Sequence, residues 1–161
     1  MLRAIQTLRQ WTGPAIDEVV LDYEDRHRRR VVIQAQRGTR FLLDLAQPAD
    51  IRDGDGIELS STAVVRVRAA EESLIEISCA DPHQLARIAW HIGNRHIPAE
   101  IGPSTIRIRS DHVIADMVVR LGADIRSVTA PFDPEGGAYA APASHSHRPQ
   151  EIDFDMGEAL P

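Results

Sequence analysis

From residue 74 onward, strand and helix signals alternate in an order that few folds accommodate. Residues 74–78 (LIEIS) alternate apolar and polar side chains, as the residues of a half-buried strand do. A helix follows, then two strands (IPAEI and TIRIR) on either side of Gly102-Pro103, a second helix and a last strand, IRSVTA. The order βαββαβ predicts a ferredoxin-like domain, in which two helices pack on a four-stranded antiparallel sheet.

Both helices of this domain have sequence signals for their ends. Asp81 is expected to be the N-cap of the first helix, with Pro82 at the first helical position, and Gly93 is expected to supply the left-handed residue that ends it. The second helix is expected to begin near Asp111 and to stop at Gly122. The apolar stripes are predicted to be Leu85, Ile88, Ala89 and Ile92 in the first helix, and Val113, Met117, Val118 and Leu121 in the second.

The first seventy residues are predicted to be β structure without a helix of any length. Turns at Arg37-Gly38 and at residues 53–56 separate β-branched runs, a pattern that favours a small sheet or barrel with one buried face. A basic run at residues 26–30 lies between two strands and fits either a contact site for an acidic partner or a solvated, charged edge. The predicted strands are EVVLDYED, RVVIQAQ, TRFLLDL and AVVRVRA.

Charge and cysteine content argue against several classes of function. The net charge of -6 opposes a phosphate backbone, and the strands TIRIR and LIEIS lack the aromatic side chains on which RNA bases stack, so we expect no nucleic-acid partner. Cys79 is the only cysteine, which excludes an intrachain disulfide and a thiolate zinc cluster within one subunit. With no signal peptide and no apolar stretch of membrane-spanning length, we expect a cytoplasmic protein without a membrane partner.

The histidines are the remaining candidates for chemistry. His91 is expected in the last turn of the first helix, where it suits the negative end of the helix dipole, whereas His96 follows the helix and is expected to face outward. His112 beside Asp111 fits a solvated side chain at the second helix start, and His145-Ser146-His147 can chelate a borderline metal without a fold. No His-Glu-x-x-His helix, phosphate loop or catalytic triad is present, so we expect no enzyme.

Three motifs in order resemble the UreE family of urease accessory proteins, which are nickel metallochaperones. The motifs are HIGNRHIP at residues 91–98, DHVIADM at 111–117 and PFDPEGGAY at 131–139. The resemblance implies an α+β chain with a β-rich protein-binding domain at residues 1–70 and a ferredoxin-like metal-binding domain at 71–135. It further implies a flexible tail at residues 136–161.

The resemblance also implies a ligand set and partners. His96 of each subunit of a homodimer would hold one interfacial nickel ion, with His145 and His147 completing the shell and His112 as a further candidate ligand. Imidazole ligands would also accept zinc or copper in vitro, because affinity follows the order of the metals themselves. The implied partners are a urease accessory GTPase and the apo-urease complex. The alternative function is a non-metal adaptor that joins a β partner-binding domain to a ferredoxin-like dimerisation domain.

Overall fold

The computed structural model describes residues 1–46 and 49–136 and contains two sheets. The first sheet comprises β1 (Leu2–Leu8), β2 (Asp17–Leu21), β3 (Arg30–Gln34), β4 (Arg40–Asp44), β5 (Gly56–Leu59) and β6 (Val64–Ala69). Its strand order is β2-β6-β5-β1-β4-β3, with β1 parallel to β4 and β2 parallel to β6. Alternate residues of these strands, among them Phe41, Leu43, Ile57, Val65 and Val67, face one buried core.

A buried carboxylate holds the turn between β3 and β4. Asp17 is almost fully buried and accepts hydrogen bonds from the backbone amides of Arg37 (2.9 Å) and Thr39 (3.0 Å), while Gly38 between them has a φ of 98°. Burial raises the pKa of Asp17, but hydrogen bonds from the Thr39 side chain and from the Arg37, Glu18 and Thr39 amides outweigh burial and lower the pKa to about 2. The predicted turn at Arg37-Gly38 is confirmed.

Parts of this domain were not predicted from the sequence. Neither β1 nor β5 was predicted, although they pair with each other in the middle of the sheet. The run EVVLDYED is not one strand, because it ends as β2 at Leu21 and continues as a short helix, α1 (Tyr23–Arg26). The Asp22 carboxylate accepts a hydrogen bond from the Asp25 amide at 2.8 Å, so a local N-cap turns the chain into the helix.

The basic run at residues 26–30 is also divided by the fold. Arg26 is only 1% exposed, whereas Arg28 is exposed and pairs with Asp25 at 2.8 Å. Arg30 begins β3 at the edge of the sheet. The interpretation of the run as a solvated edge is therefore wrong for Arg26, because its side chain is buried.

The second sheet has the predicted ferredoxin-like topology. Its strands and helices are β7 (Glu71–Ser78), α2 (Pro82–Asn94), β8 (Glu100–Ile101), β9 (Thr105–Arg109), α3 (His112–Arg120) and β10 (Asp124–Pro131). The strand order is β10-β7-β9-β8 and every pair is antiparallel. The α+β fold class, with a β-rich first domain, is confirmed. None of the helices described here is long and apolar enough to cross a membrane.

Both helices pack their apolar stripes on one face of this sheet. Ile88 and Ile92 from α2, and Ile114 and Val118 from α3, are buried in a cluster with the sheet residues Ile75, Ile77, Ile106 and Ile108. The predicted helix starts are confirmed, because the Asp81 carboxylate accepts from the His83 amide (2.9 Å) and the Asp111 carboxylate from the Val113 amide (2.9 Å). The chain leaves α3 at Gly122, whose φ is 90°.

Two predictions about the helices are wrong. Gly93 does not end α2, which continues to Asn94, and the left-handed residue that follows is His96, with a φ of 56°. Val113 is 61% exposed, and its neighbour Ile114 is buried instead. The Asp111 cap fixes where α3 begins, and from that start a turn of about 100° per residue directs positions 114 and 118 toward the sheet.

The corrected role of Gly93 gives a matched pair of substitutions. Gly93 is helical and a Cβ there meets no atom within 4 Å, so Gly93→Ala should stabilise the protein by about 0.5–1 kcal/mol. Gly122→Ala has equal space but places alanine at a φ of 90°, and should destabilise by about 1 kcal/mol or more. Urea unfolding of both variants measures the difference. Destabilisation by Gly93→Ala would restore Gly93 as the helix-ending residue.

The lowered pKa of Asp17 predicts a pH-dependent contribution to stability. Because the folded-state pKa of about 2 lies below the ordinary 3.8, the contribution is complete above about pH 4 and is lost as the pH falls through about 2. Asp17→Asn should lower the free energy of unfolding at neutral pH by about 2 kcal/mol. The exposed control Asp44→Asn should change it by less than about 0.5 kcal/mol. Denaturant titrations from pH 7 to 2 measure both, and a pH-independent effect of Asp17→Asn would contradict the assignment.

Candidate metal site

A tight turn at the end of α2 presents the first candidate ligand. The Ile92 carbonyl accepts hydrogen bonds from the amides of Arg95 (3.1 Å) and Ile97 (3.4 Å), and the Gly93 carbonyl accepts from the His96 amide (3.0 Å). Ile92 itself is 1% exposed and packs in the core of the second domain. The hydrogen bonds therefore attach the turn to the end of α2, and the buried Ile92 side chain attaches it to the core.

His96 lies at the outer point of this turn. Its backbone is left-handed, a conformation in which histidine is enriched relative to most residues other than glycine. Its side chain is exposed, as predicted, and the ring makes no hydrogen bond with any described residue. Both ring nitrogens are thus available, one to carry a proton and the other to bind a metal ion.

His112 lies on the same side of the domain. It is the first residue of α3, is exposed, and lines an open cavity of about 500 Å³ together with Arg95, Asp116 and Met117. Because Arg95 immediately precedes His96, the cavity places His112 and the His96 turn at a common surface. Within residues 1–46 and 49–136, however, no three His, Cys, Asp or Glu side chains converge into a metal-binding cluster. The described part of the chain does not by itself form a complete metal site.

His91 is in the last turn of α2, as predicted. It is partly buried, and its ring contacts Trp90 edge-on with ring centres 5.1 Å apart. Its backbone carbonyl accepts a hydrogen bond from the Arg95 side chain at 3.0 Å. These contacts connect His91 with the helix end, while the neighbouring Trp90 is 65% exposed.

The chain that follows β10 passes close to the His96 turn. Phe132 is fully buried, the Asp133 amide donates to the Glu100 carboxylate (3.1 Å), and the Glu135 amide donates to the Ala99 carbonyl (2.8 Å). Residues 132–135, which we call the tail root, therefore lie beside Ala99, three residues from His96. The predicted ligands His145 and His147 lie outside the described residues.

Cys79 is poorly suited to bind a metal. It follows β7 and lines a mainly apolar cleft of about 250 Å³ near Pro82, at the start of α2. Burial first, and then the negative charges of Asp124 and Asp81, raise the pKa of its thiol above the ordinary value, which disfavours the thiolate that metals require. Cys79 precedes α2 and His96 follows it, and because α2 has 13 residues the two are separated by roughly 20 Å along the helix.

The open face of the second sheet carries ion pairs. The Glu76 carboxylate on β7 pairs with Arg107 on β9 (2.8 Å) and with Arg126 on β10. Hydrogen bonds from Arg107 and then from Arg126 lower the pKa of Glu76. The Glu100 carboxylate also pairs with Arg107 (3.6 Å), so two acids balance the two arginines, unlike the uncompensated basic charge of an RNA-binding sheet.

The contacts between α1 and the tail root were not predicted from the sequence. The motif PFDPEGGAY was recognised, but nothing in it indicates that Phe132 packs against Tyr23, with ring centres 5.5 Å apart, or that Arg26 donates to the Phe132 carbonyl. A buried arginine has the same local sequence appearance as the exposed arginines that follow it. The only sequence signal was position, because Arg26 begins the basic run four residues after Asp22, the N-cap of α1.

Comparisons with known proteins match both domains. Residues 1–70 match the family profile of the N-terminal domain of the UreE urease accessory protein, and residues 72–156 match that of its C-terminal domain. A urease accessory protein UreE from a Bradyrhizobium species (strain BTAi1) is 51% identical over 155 residues, covering 95% of this chain and 75% of the relative.

Two other relatives carry the same name. The protein from Rhodopseudomonas palustris (strain BisB18) is 52% identical over 149 residues, covering 91% of this chain and 71% of its own length. That from Ruegeria pomeroyi is 41% identical over 145 residues, covering 90% of this chain and 95% of the relative. The similarity extends across both sheets and the His96 turn.

Proposed function

The chain belongs to the UreE family of urease accessory proteins, and from that membership we propose that it is a metallochaperone that binds nickel and delivers it to apo-urease during active-site assembly. The observation that carries this proposal is the exposed imidazole of His96 on a turn fixed to the buried Ile92. A carrier requires a ligand that a partner can reach, and this position provides one. An accessory role of this kind needs no catalytic residues.

The nickel site is proposed to form between two copies of the chain. One imidazole cannot hold the ion, but a two-fold axis beside His96 brings two imidazoles to one point. Large apolar side chains at this end of the domain, Trp90 and Val113, are 65% and 61% exposed, and a homodimer interface would bury them. The contact would be self-complementary, because the same turn and helices meet their own copies.

Tail histidines are proposed to complete the shell. Nine residues, Gly136 to Ser144, precede His145, and they can span at most about 30 Å. Because the tail root lies beside Ala99, a tail of this length is long enough to bring His145 and His147 to His96. His112, which shares the Arg95 cavity, is proposed as a further candidate ligand.

Imidazole ligands suit delivery better than storage. They bind nickel as neutral donors, without the thiolates that hold the zinc ion tightly in structural sites. Zinc and copper should also bind in vitro, because imidazole does not select among these metals. The proposed partners are a urease accessory GTPase and the apo-urease complex, with the first domain as the protein-binding module.

One observation favours a second candidate function. No group of three potential ligands converges within the described part of the chain, which is also what a non-metal adaptor with a dimerisation domain would show. The nickel content of the purified, metal-loaded protein separates the two functions. A protein that retains no nickel after dialysis would favour the adaptor.

The dimeric site predicts the metal stoichiometry and the effect of two substitutions. Wild type should hold one tight nickel ion per dimer, and His96→Ala should remove that site because both central donors are lost. His91→Ala, the matched histidine at the helix end, should change stability more than nickel affinity. Metal analysis by mass spectrometry with light scattering measures both. One tight nickel ion per monomer, or a tight site retained in His96→Ala, would contradict the bridging role.

The tail histidines predict a partial effect of truncation. Deleting residues 141–161 should weaken nickel binding without abolishing it, because His96 remains while His145 and His147 are removed. Titration calorimetry of the truncated and full chains measures the change. Equal affinities would remove the tail from the ligand shell.

A further inference from the structure

Strand β3 has one side without a partner strand. It is the last strand of the first sheet, and within the described residues it pairs only with β4. At one end of this ladder the Leu45 amide donates to the Arg29 carbonyl (3.1 Å). At the other end the Ala35 amide donates to the Thr39 carbonyl (2.8 Å). Because the direction of the backbone groups alternates along an antiparallel ladder, the even-numbered residues between these ends direct their amides and carbonyls away from β4.

The outward backbone groups of β3 are those of Arg30, Val32 and Gln34. None of the residues that the structure describes hydrogen-bonds to them. The same side can pair with a strand, because the next outward amide, that of Gln36, donates to the Glu18 carbonyl of β2 at 2.9 Å. Beyond that contact β2 and β3 are not paired, which leaves five residues, or about 17 Å, of open strand.

The surface around this open strand is basic. Residues 28–46, which include β3 and β4, contain five arginines and a single acidic residue, Asp44, on a chain whose net charge is -6. All five arginines are exposed. Asp44 pairs with Arg3 (3.9 Å), and Arg28 pairs with Asp25 (2.8 Å). No carboxylate in the described part of the chain lies within ion-pair distance of the other four, which are Arg29, Arg30, Arg37 and Arg40.

The side chains of the open strand match a partner strand that carries acidic and apolar residues. Arg30, Val32 and Gln34 alternate with the core-facing residues of β3, and Val32 is 43% exposed between its two polar neighbours. Side chains directly opposite each other in paired strands are about 5 Å apart, so a carboxylate would meet Arg30 and an apolar side chain would cover Val32. A second copy of this edge would bring two sets of arginines together, which disfavours self-pairing.

We propose that the β3 edge, defined as Arg30–Gln34 with the arginines around it, is the site at which the first domain binds an extended acidic segment of a partner protein. The segment adds a strand to the sheet. Its backbone bonds to the outward groups of β3, and its carboxylates pair with the arginines, which supplies specificity. The proposal rests on the protein-binding role proposed above for the first domain, and it does not require bound nickel.

The probe is a labelled peptide of about seven residues that alternates glutamate and valine, long enough to extend one residue beyond each end of the open strand. Fluorescence anisotropy with the full chain measures binding, which should be lost when lysine replaces glutamate in the peptide. Arg30→Gln should weaken binding by about two- to fivefold, because one cross-strand ion pair is lost. Arg87→Gln is the matched control, since Arg87 is exposed on α2 and hydrogen-bonds only to Gln84 (3.5 Å) among the described residues, and it should leave binding unchanged.

Backbone pairing is tested separately from charge. Val32→Pro removes an outward amide that the β4 ladder does not use, so the chain should fold and should bind the peptide at least about tenfold more weakly. Val32→Thr keeps the amide and the branched side chain and should bind nearly as tightly as wild type. Two further peptides are N-methylated, one at every glutamate and the other at every valine. Only one of these two sets of amides can face β3, so one peptide should lose binding and the other should keep it.

The outcomes separate this proposal from the function on which it rests. A wild type that does not bind the glutamate–valine peptide, or an equal loss in Arg30→Gln and Arg87→Gln, would overturn the docking site. Equal binding of both methylated peptides would show charge attraction without strand pairing and would overturn it too, and these peptides decide if Val32→Pro does not fold. A lower mass of Val32→Pro in light scattering would identify a second copy as the occupant and contradict the partner assignment.

Nickel content is measured on the same preparations. A chain that retains nickel but does not bind the peptide refutes the docking site alone. A chain that binds the peptide but retains no nickel refutes the metallochaperone function and leaves the docking site in place.

Discussion

The burial of Ile92 fixes the direction in which the chain leaves α2, and the candidate metal site depends on that direction. Its side chain packs between the helices and the sheet, while its carbonyl accepts the amides of Arg95 and Ile97. These bonds force His96 into the left-handed region and toward solvent. A smaller residue at position 92 would leave the His96 turn less firmly attached to the core, although position 92 itself binds no metal. Ile92 therefore links the core of the second domain to the exposed candidate ligand.

Local signals made the second domain predictable. The caps at Asp81 and Asp111 form within three residues of chain, and the order of strands and helices leaves few possible topologies. Errors arose where local signals were ambiguous. Gly93 stands where a helix-ending glycine belongs, yet α2 continues past it, and Val113 and Ile114 are both apolar, so their pattern alone does not show which of them faces the sheet.

Contacts between residues far apart in the chain could not be predicted from the sequence in either domain. Strands β1 and β5 are paired across about fifty residues, and neither has the run of β-branched residues by which β3 and β6 were predicted. Arg26 and Phe132 are more than a hundred residues apart, and no spacing rule connects them. His96 was identified from its motif and its exposure followed from the helix break, whereas the nearness of the tail root to Ala99 required the structure.

The two domains and the tail root meet around a small set of contacts, and the tail root lies beside Ala99, three residues from the proposed nickel site at His96. X-ray absorption spectroscopy of the nickel-loaded full chain tests the nature of that site most directly, since it reports the atoms bound to the metal. We expect nitrogen and oxygen neighbours with the multiple-scattering pattern of imidazole, and loss of most of that pattern in His96→Ala. Sulfur among the nickel neighbours, or no imidazole scattering, would contradict a site built on His96.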